Sequence, residues 1–229
     1  METVPQTVMP QTVMIGRLAV ILGRYARSLA AATVALGLAA CTSASPAQGL
    51  FERYNGDATR SDFVVCQSYG CSTRTPTAFS DAEWAQIADQ FEPPPQTAEE
   101  ERERIAKAVA LMEHIVGPKT GTDDDKPGAP VIAMNTKGQM DCIDEATNTG
   151  TYLAFLERAG LFRFHDKARA VRRGYLIDGL WTHNTATIVD RATQRRYTVD
   201  TWFRKNGAIP VVVPVEDWLA GYYPPDFKR

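Results

Sequence analysis

With four cysteines and three histidines in 229 residues, the chain offers few combinations capable of nucleophilic chemistry. Cys142 has no neighbouring cysteine to pair with, and it lies in Gln139-Met140-Asp141-Cys142-Ile143-Asp144-Glu145-Ala146. Asp141 is a good N-cap and Asp144 completes a carboxylate version of the capping box, so the segment predicts a helix beginning at Cys142. Ala146, Leu153 and Leu156 continue its apolar stripe towards Gly160. On a first turn, unpaired backbone N–H groups and the positive end of the helix dipole favour a thiolate, the form of cysteine that attacks carbonyl carbon. Asp141, Asp144 and Glu145 oppose that shift, so the sulfur needs a cationic partner.

Two later runs supply one. Trp181 to Asp190 and Arg196 to Trp202 are rich in Thr, Ile and Val and read as strands joined by a polar turn. Folded about Arg191-Ala192, they set His183 opposite Asp200, with Cβ atoms about 5 Å apart. A histidine held by a carboxylate takes the proton of Cys142 and forms a thiolate–imidazolium pair. The chemistry is acyl transfer: the sulfur attacks an amide carbonyl, His183 protonates the leaving amine, and the thioester passes to water or to an amine. His165 is a competing base, but it follows Phe164 without a strand pattern. His114 falls on a helix face.

The elements that must position these groups are legible in part. Ser80 with Glu83 signals one helix, with Trp84, Ile87, Ala88 and Phe91 on a face before Pro93-Pro94-Pro95 ends it. Thr97 with Glu100 signals a second, whose stripe of Ile105, Ala108, Val109, Met112 and Val116 ends at Gly117-Pro118. Lys119 to Gly138 is a long connection with Asp123, Asp124 and Asp125 in its middle. It lacks the alternation and closing glutamate of a calcium loop, and it reads as a solvated wall of the cleft. Asn206-Gly207 marks a hairpin turn into a third strand over Ile209 to Val213, placed at an edge by Pro210 and Pro214. Glu216, Trp218 and Leu219 begin a short closing helix. Cys66 and Cys71 close a short loop and read as a local disulfide; a redox partner for Cys142 or half of a metal site are the alternatives. No cofactor is called for.

Residues 1–40 carry Arg17, Arg24 and Arg27 before a small-residue apolar run from Leu29 to Ala40, the pattern of a targeting segment. Leu38-Ala39-Ala40-Cys41 resembles a bacterial lipobox. That resemblance implies cleavage before Cys41, a lipid on its sulfur, and a protein anchored to a membrane. Thr42 resembles the residue found in lipoproteins sorted to the outer membrane, which places the protein in the cell envelope, facing the periplasm. Residues 41–60 read as a flexible tether and 61–229 as the functional domain. Without residues 1–40 the chain has 22 basic and 26 acidic residues, a net charge of −4. Mild acidity without a basic stripe excludes a nucleic-acid partner.

A helix-borne cysteine followed by a hairpin carrying His and Asp resembles the bacterial transglutaminase-like cysteine proteinases of the papain-like superfamily. The residues that carry the likeness are Met140 to Ala146, Trp181 to Ala186, and Val199-Asp200-Thr201-Trp202-Phe203 followed by Asn206-Gly207. It implies an α+β fold of helices packed on an antiparallel sheet. Cys142 is then the nucleophile, His183 the general base and acid, and Asp200 the group that fixes the imidazole tautomer, with a peptide or protein substrate. It also implies an oxyanion hole built from the Cys142 backbone N–H and a side-chain amide shortly before it. Thr136 is unsuited, Gln139 and Asn135 are the candidates, and Gln139 is preferred. Trp202 reads as a shield over the His–Asp pair. Two rival readings are an NlpC-type peptidoglycan endopeptidase, whose third residue is usually another polar group, and a silent peptide-binding module on the same fold.

Overall fold

The computed structural model describes residues 45–129, 136–174 and 182–227, so the leader, Cys41 and Asn135 lie outside the described residues. The elements run α1 (Pro46–Asn55), β1 (Phe63–Gln67), β2 (Thr73–Thr77), α2 (Asp81–Ala88) with a 3-10 turn over Asp89–Phe91, α3 (Ala98–Thr120), α4 (Cys142–Arg158), β3 (His165–Arg173), β4 (His183–Asp190), β5 (Arg196–Val199) and α5 (Val215–Leu219). The fold is α+β. β1 and β2 form an antiparallel hairpin, and β3, β4 and β5 form an antiparallel sheet with β4 in the middle.

The helix that begins at Cys142 is buried from Asp144 to Leu156. Its middle, Thr147-Asn148-Thr149-Gly150-Thr151, is small and polar, which lets neighbours approach closely. Thr147 and Thr151 satisfy their hydroxyls on the carbonyls one turn back, at 2.7 and 3.0 Å. Its apolar end, Leu153, Phe155 and Leu156, joins Phe63, Phe79, Ile105, Val109, Met112, Tyr152 and Ile188 in the main core. The stripe expected on α3 is buried as its spacing requires. α3 continues beyond Gly117-Pro118, because Thr120 Oγ1 and the Gly121 N–H take up the last carbonyls, and it ends at Gly121 with φ 76°.

Three expectations are corrected. Residues 46–55 are helix α1 and not tether: the Asn55 side chain pairs with both backbone groups of Val64, at 2.9 and 3.0 Å, and donates to Thr151 Oγ1. Asn148 of α4 makes the same two-way pairing with Cys66, so two asparagines stand in for a neighbouring strand along β1. The segment 165–173, which shows no strand pattern in the sequence, is the edge strand β3, bulged between Ala168 and Val171. The stretch 209–213 follows β5 only through isolated bridges, Asp200 with Val211 and Tyr197 with Pro214: the Val213 N–H donates to the Thr198 hydroxyl and not to its carbonyl, which interrupts the ladder.

Behind α4 lies a knot of carboxylates. Asp125 is buried, not solvated as the loop composition suggests, and accepts the Met140 N–H at 2.6 Å. Glu113 accepts from Gly207 N, while Glu145 accepts from Thr201 Oγ1 at 2.5 Å. Burial, with the charge of Asp125 adding to it, pushes Glu113 up to about 8; burial likewise pushes Asp125 up to about 7. Glu145 is raised by burial and then by its two acidic neighbours.

A carboxyl whose folded pKa is raised holds its proton after the unfolded chain has lost it. The folded state is therefore favoured at low pH and loses that advantage as pH rises through the folded value. Thermal melts should show Tm falling by about 10 °C or more between pH 5 and 8.5, and Glu113→Gln should flatten the slope. A chain starting at residue 61 should melt well below one starting at residue 42, since it lacks the contacts of Ala47, Gln48 and Asn55.

Candidate active site

The start of α4 is held from two sides. Asp141 caps it by accepting from Ile143 N and Asp144 N, and Asp144 accepts from Asp141 N in return. Asp144 also accepts the N–H groups of Tyr69 and Cys71, at 2.8 and 2.5 Å, and Asp141 accepts that of Gly70. These donors converge because Ser68, Tyr69, Gly70 and Cys71 are all left-handed, with φ between 60° and 70°. For the three non-glycine residues this costs about 1–2 kcal/mol each, so the turn persists only because something holds it. The Cys66–Cys71 disulfide and the two carboxylates do so. Cys142 is the free thiol among the described residues.

His183 opens β4 and is 1 % exposed. The ladder pairs Ala186 with Val199 and so sets Asp200 beside Thr185, two residues from the expected register. A slip of two keeps the same face, and the side chains meet on the diagonal: His183 Nε2 lies 2.8 Å from Asp200 Oδ2. The Trp218 indole N–H donates to the same oxygen at 2.7 Å. A carboxylate accepts only, so it places the imidazole proton on Nε2 and leaves a lone pair on Nδ1. Nδ1 is buried without a hydrogen-bond partner. Trp202, Phe203 and Trp218 enclose the ring, with centroids 4.4, 5.2 and 5.2 Å away. Trp202 thus shields the pair as expected. Arg173, across the ladder from His183, donates to the Trp218 carbonyl and stacks over its indole.

Cys142 is half-buried and packs against the Trp202, Phe203 and Val211 cluster that also contacts the imidazole. Its sulfur is hydrogen-bonded not to His183 but to Asn184, whose Nδ2 lies 3.5 Å away. Successive residues of a strand face opposite sides, so His183 and Asn184 straddle β4. Burial pushes the Cys142 thiol up to about 12; the Asn184 side chain is the main opposing influence, while Asp141 and Asp200 raise it further. Burial and the acidic neighbours thus favour the thiol over the preformed thiolate–imidazolium pair expected from the sequence. At this helix start the dipole is outweighed by apolar burial and acidic neighbours.

Two other candidates are placed elsewhere. The Gln139 amide donates to Asp124 O at 3.1 Å, and its oxygen accepts from Lys126 N, so it serves the loop and is corrected as an oxyanion donor. His165 is fully buried against Glu101 at 2.9 Å, and Glu101 also accepts the backbone N–H groups of residues 163–165. It is a structural corner, not a base. Sequence reasoning missed Asn184 and Trp218: Asn184 is adjacent to His183 but its partner lies on another element, and Trp218 reads as helix packing.

Comparison of the chain with family models, curated proteins and solved structures returns no match. The site is thus defined by its geometry: a free cysteine at a clamped helix start, beside a buried His–Asp–Trp chain. The double variant Cys66→Ser, Cys71→Ser should release the left-handed turn, lower stability by about 2–4 kcal/mol in urea unfolding, and increase amide exchange in residues 141–145. Unchanged exchange there would mean that the carboxylates alone hold the helix start.

Proposed function

We propose that the protein is a thiol-dependent hydrolase or acyl transferase acting on peptide or protein amides, with Cys142 as nucleophile, His183 as base and acid, and Asp200 as the residue orienting His183. The observation that carries this reading is the imidazole: one nitrogen is fixed by Asp200, which Trp218 fixes in turn, while Nδ1 is buried with its lone pair unused. An unsatisfied buried polar atom costs about 1–3 kcal/mol and is retained where a reaction needs it. With the thiol protonated at rest, His183 removes the proton as the sulfur attacks, and returns it to the leaving amine. The likeness to transglutaminase-like cysteine proteinases supports the same roles. The leader and Cys41 support a lipid-anchored protein of the bacterial cell envelope, where peptidoglycan cross-bridge peptides are among the accessible amides. The hydrogen bond of the sulfur to Asn184 rather than to His183 favours a second reading, a peptide-binding module that does not turn over.

Iodoacetamide alkylation of Cys142, followed against pH, separates the two. His183→Ala should slow alkylation at pH 7.5 by about 100-fold and move its inflection to more alkaline pH, because general-base assistance of this kind contributes at least that much. Asp200→Asn should fall between the two proteins. Identical profiles for all three would replace the enzyme by the binding module.

A further inference from the structure

The Cys142 sulfur needs a hydrogen-bond donor when its proton leaves, and Gln139 is occupied elsewhere. The structure supplies another amide. Asn184 Nδ2 lies 3.5 Å from the sulfur, and the amide is not free to turn: its Oδ1 accepts the Ser45 hydroxyl at 2.9 Å. Because the oxygen end is held by an O–H donor, the NH2 end must face the sulfur. Asn184 is 1 % and Ser45 2 % exposed, so water does not compete for either contact. Ser45 is fixed in turn because it precedes α1, where its carbonyl accepts from Gln48 N. The backbone N–H of Asn184 acts on the sulfur in the same sense as the side chain.

We propose that Asn184 is the donor that stabilises negative charge on the Cys142 sulfur, and that Ser45 is the positioning residue that sets its orientation. This rests on Cys142 being the nucleophile. Asn184 follows His183 directly on β4, so one residue step on the strand separates the group proposed to take the proton from the group that stabilises what remains. Asp141 and Asp200 both act against the thiolate, and the Asn184 amide is the main group acting for it. The residue that organises this amide lies in the stretch that composition marks as tether.

The test is the pH profile of iodoacetamide alkylation for the wild-type chain, Asn184→Ala, Ser45→Ala, the double variant and His183→Ala, with a thermal melt of each. A hydrogen bond to a developing charge is worth about tenfold in rate, so Asn184→Ala should move the inflection up by about one pH unit. Ser45→Ala should move it in the same direction by less, and the double variant should match Asn184→Ala, since Ser45 acts only through that amide. If His183→Ala moves the inflection while Asn184→Ala and Ser45→Ala superimpose on the wild type, Asn184 is not the donor and the nucleophile–base reading stands. Superposition of every profile overturns both. Should Asn184→Ala fail to fold, Ser45→Ala decides, because losing one hydroxyl leaves β4 intact.

Discussion

Asp144 is a single carboxylate that receives N–H groups from its own helix cap and from a turn some seventy residues earlier in the chain. Everything that places Cys142 depends on that convergence. The reciprocal bond with Asp141 fixes the residue at which α4 begins, and the bonds from Tyr69 and Cys71 fix the direction in which its first turn points. The rest of the helix is then locked by small side chains: Asn148 and Thr151 reach β1 and Asn55, and Thr149 meets Thr201 beyond β5. Cys142 is thus carried on an element that cannot rotate without breaking contacts on three sides.

The surroundings of the helix are unusually polar for a core. Glu113, Asp125 and Glu145 lie close together behind it, and the hydroxyl of Thr201 ties them to the segment that follows Asp200. Burial first, and then mutual repulsion, raises the pKa values of these carboxyls and favours their protonated forms. On the other face of β4 the arrangement is the reverse: aromatic rings enclose a single imidazole–carboxylate pair. The site lies where these two environments meet.

The capping of α4 is legible in the sequence because cap chemistry is local, confined to Asp141 and Asp144. The pairing of His183 with Asp200 is legible for a different reason. Strand side chains alternate with period two, so a register estimate wrong by two residues still places both groups on one face. The helix α1 is hidden by its Ser-Ala-Pro-Gly surroundings, although Ala47, Leu50, Phe51 and Tyr54 recur at helical spacing behind Pro46; its docking through Gln48 and Asn55 is visible only in the fold. β3 is hidden too: its His-Asp-Lys-Ala-Arg pattern is that of a charged edge strand with a bulge. Asn184 and Trp218 are visible as residues but not as parts of a site, since each acts on a group that only the folded chain brings near.

The ring closed by Cys66 and Cys71 is short, so in the chain-entropy account it restricts the unfolded chain by only about 2 kcal/mol. Its larger effect is to hold four consecutive left-handed residues whose amides clamp the start of α4. That links assembly of the site to a covalent event in time. Without the bridge, the start of α4 would be held against that turn by Asp141 and Asp144 alone. Closing the disulfide completes the clamp while leaving the Cys142 sulfur reduced.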